Sequence, residues 1–88
     1  MARVFHIVGG QGSGKSMQAK ALSKYFEAQG LQCAGVDDPK SEFITDRAEA
    51  LTQWPNADVI FIEHAPGKPF PTEPGDTIIN LEVVRSPR

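Results

Sequence analysis

Gly9-Gly10-Gln11-Gly12-Ser13-Gly14-Lys15-Ser16 is flanked upstream by Val4-Phe5-His6-Ile7-Val8 and downstream by a run in which Met17, Ala21 or Leu22, Tyr25 and Phe26 recur at steps of three and four. The upstream stretch is short, β-branched and aromatic, which suits a buried central strand. The downstream spacing, with Lys20, Lys24 and Glu27 interleaved, predicts an amphipathic helix from about Lys15 to Gln29. A strand that passes through glycines directly into a helix opens a β-α-β unit, and the rest of the chain can be read outward from it.

Gly30 falls where a left-handed helix cap is expected. It releases the chain into Leu31-Gln32-Cys33-Ala34-Gly35-Val36, a second strand that Asp37-Asp38-Pro39 stops. Asp46 followed by Glu49 reads as a capping box for a short second helix with Ala48, Leu51 and Trp54 on one face, ended by Trp54-Pro55-Asn56. Asp58-Val59-Ile60-Phe61-Ile62-Glu63 is the clearest buried strand in the chain. Prolines at 66, 69, 71 and 74 exclude both helix and ladder strand from residues 64 to 76. A surface loop with few anchoring residues is expected there, the most mobile internal segment. Thr77-Ile78-Ile79-Asn80-Leu81-Glu82-Val83-Val84 reads as a fourth strand, followed by a tail with Arg85 and Arg88. The segments between strands are long enough for the crossovers that parallel neighbours require. The expectation is a three-layer α/β domain over residues 1–88, with a mainly parallel sheet of about four strands and two helices. Its strand order would be second, third, first, fourth, with the ligand mouth at the strands' C-terminal ends.

Eighty-eight residues leave room for one core, and 40% hydrophobic content excludes disordered and collagen-like chains. Nine Lys and Arg against eleven Asp and Glu give a formal charge of −2, which offers no positive field to a nucleic acid or an acidic membrane. A single cysteine, Cys33, makes neither an intramolecular disulfide nor a metal site by itself, so a reducing, cytoplasmic setting is expected. The longest apolar run, Val59 to Ile62, is far short of a bilayer span, and Met1-Ala2-Arg3 leads into no signal-peptide core. No membrane association or targeting is expected.

Gly9 to Ser16 fits the pattern G-x-x-x-x-G-K-[ST] at every position and lies in the strand-to-helix context that the pattern requires. The glycines Gly9, Gly10, Gly12 and Gly14, with Gln11 and Ser13 between them, let the backbone curl so that successive N–H groups face an anion. The helix beginning near Lys15 adds its positive dipole end. Lys15 can reach β- and γ-phosphate oxygens, and the Ser16 hydroxyl is placed to ligate Mg²⁺. A glycine-rich turn with no ligand would explain neither four glycines nor the Lys-Ser pair.

These residues resemble the P-loop NTPase superfamily, with Gly9 to Ser16 as the Walker A motif and Val59-Ile60-Phe61-Ile62-Glu63 similar to the second motif, Glu standing where Asp is usual. The resemblance implies a Mg-nucleoside triphosphate ligand. For Glu63 three roles stay open: a metal ligand, direct or through water; a general base for an attacking water; or simply the end of a strand. Asp37 and Asp38 end the second strand at the same mouth. Resemblance to kinase-like members favours Asp37 as a contact for Mg²⁺ or the acceptor, while Asp38-Pro39 also reads as turn chemistry. A narrower similarity, to the small GTP-binding accessory protein of molybdenum-cofactor guanylation, rests on the glycine after the first helix, the Glu-ended strand and Leu81-Glu82-Val83-Val84-Arg85. This chain is much shorter and has His64 where that family continues with glycine.

No Asn/Thr-Lys-x-Asp segment selects guanine, so ATP is the expected nucleotide. Arginine fingers are sought in Arg47, Arg85, Arg88 or a partner, and a lid in residues 64 to 76 with Lys68. His64 reads as a polar loop residue and His6 as structural. The expected activity is Mg-dependent ATP binding with weak hydrolysis or small-molecule phosphotransfer, in which Lys15, Glu63 and Asp37 act. The alternative is a nucleotide- or phosphate-binding accessory module without turnover. A sheet this small leaves apolar surface uncovered, so a homodimer or a larger protein partner is expected.

Overall fold

A residue's place along a strand decides which side of the sheet it faces, and two adjacent apolar strands set the frame here. β1 (Arg3–Val8) and β3 (Val59–His64) pair in parallel, with Arg3 opposite Val59 and Val8 opposite His64. β4 (Thr77–Asn80) adds to the free edge of β1, Phe5 opposite Thr77 and Val8 opposite Asn80. β2 (Cys33–Ala34) adds to the far edge of β3. The order β2-β3-β1-β4, parallel throughout, is the expected one. The structure is a computed structural model that describes residues 2–10, 14–36, 44, 46–67 and 69–81.

Alternation sorts the core into two layers. Phe5, Ile7, Val59 and Phe61 face α1 (Lys15–Glu27) and meet Ala19 and Phe26, with Phe5 5.5 Å from the Phe26 ring and 5.4 Å from that of Phe61. Val4, Ile60 and Ile62 face the other way and meet Ile44 and Ala50 of the side that carries α2 (Arg47–Gln53). The result is helix, sheet, helix: three layers and an α/β fold, consistent with a minimal P-loop-like domain. Burying each large apolar side chain contributes about 1.5–3 kcal/mol, and the middle strands carry most of them.

Several local expectations are corrected. α1 ends at Glu27, and its inner face is Ala19, Leu22, Ser23 and Phe26; Met17 and Tyr25 point outward, 76% and 63% exposed. The small residues Ala19 and Ser23 let the helix approach the sheet, and Ser23 Oγ satisfies itself on the Lys20 carbonyl at 2.8 Å. β2 has two residues instead of six because Gly35 takes φ 86°. A Cβ there would lie 2.1 Å from the Phe61 carbonyl oxygen, so the chain can pass only as glycine, and in passing it leaves the strand conformation. Asp46 caps α2 through the Ala48 amide at 2.8 Å, but Ala48 itself is exposed; Ala50 is the buried contact, with Leu51 and Trp54 packed beside it. β3 runs one residue further than expected, through His64.

Of the fourth strand, residues 82–84 lie outside the described residues, as do Arg85, Arg88 and Lys68. No helix or strand occurs among the described residues from 65 to 76, as the prolines require. The segment does carry anchors, however: Phe70 and Asp76 both reach the sheet. Among the described residues no helix is long and apolar enough to cross a membrane.

Candidate functional site

The glycine loop leaves the C-terminal end of β1 in the middle of the sheet. Gly9 donates its amide to the His64 carbonyl at 3.1 Å, which ties the first residue of the loop to the end of β3. Gly14, at φ 86°, turns the chain into α1 as an N-cap without any side-chain cap bond. The first turn of α1 holds no acidic residue, so nothing in it opposes an anion. Gln11, Gly12 and Ser13 lie outside the described residues, as do Asp37 and Asp38.

Lys15 bends back over the loop and donates from Nζ to the Gly9 carbonyl at 2.5 Å and to the Gly10 carbonyl at 3.4 Å. Its ammonium therefore sits at the mouth, held by the backbone it would help an anion to occupy. Positions 59, 61 and 63 of β3 face α1, so Glu63 rises beside the first turn of that helix. Ser16 Oγ lies 3.5 and 3.4 Å from the two Glu63 oxygens, the outer limit of a hydrogen bond. Neighbouring oxygens of an octahedral Mg²⁺ shell with bonds of ~2.1 Å stand about 3 Å apart. The pair is made of hard oxygen donors at nearly that separation, so it fits the ion.

The opposite face of the same strand ends holds four further groups. Position 64 has the other parity, and His64 is a strand residue 4% exposed, in place of the expected loop residue. Its Nε2 is 2.9 Å from His6 Nδ1, and His6 Nε2 is 2.9 Å from Asp76 Oδ2. Arg47 holds Asp76 with two bonds, Nε to Oδ2 at 2.9 Å and Nη2 to Oδ1 at 3.2 Å, and the Glu73 amide adds a third donor at 3.1 Å. Phe70 lies flat on His64, 3.7 Å between centroids at 7°. Arg47, one of the sought fingers, is thus engaged by Asp76 on the face away from Lys15. Sequence reading missed this set because its members are 6, 47, 64 and 76; the available signal was one histidine on each of two strands otherwise apolar enough to be central.

Burial, helped by the facing His6, pushes the His64 imidazole down to about 4, so it is neutral near pH 7. Burial alone would raise the Asp76 carboxyl, but the Arg47 and His6 hydrogen bonds outweigh it and hold the group below its usual value. Cys33 is raised by burial and by the charges of Glu27 and Asp58, which leaves it an unreactive thiol. No group of three or more potential metal-ligating side chains occurs among the described residues.

No protein-family model matches the chain, and no solved structure matches it. Among curated proteins it is 39% identical over 46 residues to a thymidylate kinase of Dehalococcoides mccartyi. The chain is similar to part of a thymidylate kinase. The match takes in 52% of this chain and 22% of that enzyme, so the chain corresponds to about a fifth of the kinase's length.

Proposed function

We propose that the chain binds a Mg-nucleoside triphosphate, ATP first among them, at Gly9 to Ser16, and that it hydrolyses it slowly or passes its terminal phosphoryl group to a small acceptor. The observation that carries this reading is the convergence, at one end of a parallel sheet, of the Lys15 ammonium over the loop carbonyls and of Ser16 Oγ beside Glu63. Partial similarity to a thymidylate kinase also supports it.

In this reading Gly9, its own amide held by the His64 carbonyl, opens the loop; the loop amides after it and the first turn of α1 take the β-phosphate, and Lys15 exchanges its carbonyl partners for β- and γ-phosphate oxygens. Ser16 and Glu63 hold Mg²⁺, with Asp37 a third candidate ligand or an acceptor contact. The ion supplies charge neutralisation on the phosphates. Where water is the acceptor and Glu63 serves as base in place of metal ligand, it takes the water's proton as the water oxygen bonds to the terminal phosphorus and the bond from that phosphorus to the bridging oxygen breaks, the nucleoside diphosphate departing with the electron pair. Among the described residues the arginine nearest this role, Arg47, is bound to Asp76, which favours slow turnover and keeps the accessory, non-catalytic module as a second reading. In the same reading residues 1–88 act as one unit, in the cytoplasm, with a second copy or a larger protein as partner.

A thermal-shift and calorimetry panel tests it: ATP, GTP and thymidylate, each with and without Mg²⁺, followed by a coupled assay for ADP release. Stabilisation by Mg·ATP above Mg²⁺ alone is expected. No shift with any triphosphate overturns the nucleotide reading; binding without ADP release selects the accessory module.

A further inference from the structure

The two histidines belong to neither hydrophobic layer, and their rings bond to no side chain assigned to the phosphate. His64 nevertheless joins two systems. Its carbonyl accepts the Gly9 amide at 3.1 Å, and its peptide nitrogen continues directly from Glu63, so its backbone borders the site on two sides. Its imidazole is on the opposite face, bonded to His6, which is bonded to Asp76, where Arg47 and the Glu73 amide also converge. Phe70 covers the His64 ring and lies 4.8 Å from that of His6. We propose that the chain His64–His6–Asp76–Arg47 is a positioning relay that couples the proline-rich connection 65–76 to the Gly9 and Glu63 side of the anion site, with His64 common to both.

Three arguments carry it. Apolar side chains fill the same face a few ångströms away, at Val4, Ile60 and Ile62, so packing alone did not require imidazoles here. Buried charged and polar groups add little net stability over an apolar filling, which leaves specific geometry as what they contribute. Second, the hydrogen bonds form one unbroken line. An ionised Asp76 only accepts, so His6 donates to it from Nε2, and the other nitrogen of His6, Nδ1, shares one hydrogen with Nε2 of His64. Each ring is fixed by the next, and among the described residues no buried side-chain polar atom lacks a partner. Third, the relay touches the connection at two places, Phe70 and the Glu73-Asp76 turn, and the other described residues of that connection are exposed. Coupling is reciprocal, so whatever holds Gly9 and Glu63 also holds residues 65–76, and loosening those residues weakens what the site binds.

The ligand half of this inference rests on the proposed nucleotide reading; the link through His64 does not. Amide exchange of the full chain, with and without Mg·ATP, tests both. Asp76→Asn removes the charge that orients His6, and Phe70→Leu removes the stack at a half-buried position where folding is spared. In the parent, Mg·ATP is expected to slow exchange across 65–76 by about fivefold or more, the low end of typical coupling. In either variant that protection disappears and the Kd for Mg·ATP rises about fivefold or more, while unliganded β1 amides exchange as in the parent. Binding to the parent with 65–76 unaffected, or parent-like affinity in Phe70→Leu, overturns the relay. If the parent binds no nucleotide, the nucleotide reading has failed by itself and the free protein decides the relay. The Gly9 amide must then exchange several-fold faster in Phe70→Leu than in the parent, and equal rates overturn the relay too.

Discussion

Lys15 spans the loop from its C-terminal side to the carbonyls of its first two residues, so replacing it removes both a cation and a closure. Lys15→Ala is expected to weaken Mg·ATP binding by about 10- to 150-fold, the loss of a charge-assisted bond of roughly 1.5–3 kcal/mol, as read by calorimetry. Since the side chain lies outside both core layers, the unfolding midpoint should stay within a few degrees of the parent's. Glu63→Gln keeps size and removes charge: ADP release should fall steeply while nucleotide still binds, and an unchanged rate would return Glu63 to the role of strand end. His64 gives a third measurement. Its folded value of about 4 lies below the unfolded 6.5, so the unfolded chain takes up the proton first as pH falls. Stability is complete above about 6.5 and declines as the pH falls towards 4, by roughly 3 kcal/mol. Urea unfolding at a series of pH values should show that slope, and His64→Gln should lose it.

Elements were legible where one signal dominated. Val4 to Val8 and Val59 to Ile62 are apolar on both parities, as only central strands can be, and both form the middle of the sheet. α1 was legible as a helix but not as to its buried side, because close approach to the sheet selects small residues such as Ala19 and Ser23 over the larger Met17 and Tyr25. The proximity of Ser16 to Glu63 follows from local motifs, whereas the His6–His64–Asp76 set depends on contacts between strands, His6 and His64 being 58 residues apart in sequence, which no local pattern encodes. Two substitutions weigh the local devices. Gly35→Ala meets both a positive φ and the Phe61 carbonyl, and should destabilise by more than about 2 kcal/mol. Asp46→Ala removes the only side-chain cap of a seven-residue helix among the described residues, at about 0.5–2 kcal/mol. Chemical denaturation distinguishes them, since Gly35 carries the larger loss.

At the scale of the whole molecule, the sheet ends in two weak edges. β2 is two residues long, and β4 presents Ile78, 49% exposed, on the same face as His6 while α2 covers β3. A two-fold dimer that covers this side is the expected assembly, and light scattering at tens of micromolar should return twice the mass of the chain; the monomer mass, with and without nucleotide, refutes it. The alternation along β3 has a consequence for how such a chain can change over generations. Glu63 and His64 are neighbours serving opposite faces, and a register shift of one position exchanges every side chain between those faces. Single-residue insertions or deletions between Val59 and Ile62 would carry the acid to the relay and the imidazole to the loop. Lineages of this domain should therefore vary β3 by substitution and confine changes of length to the turns on either side of it.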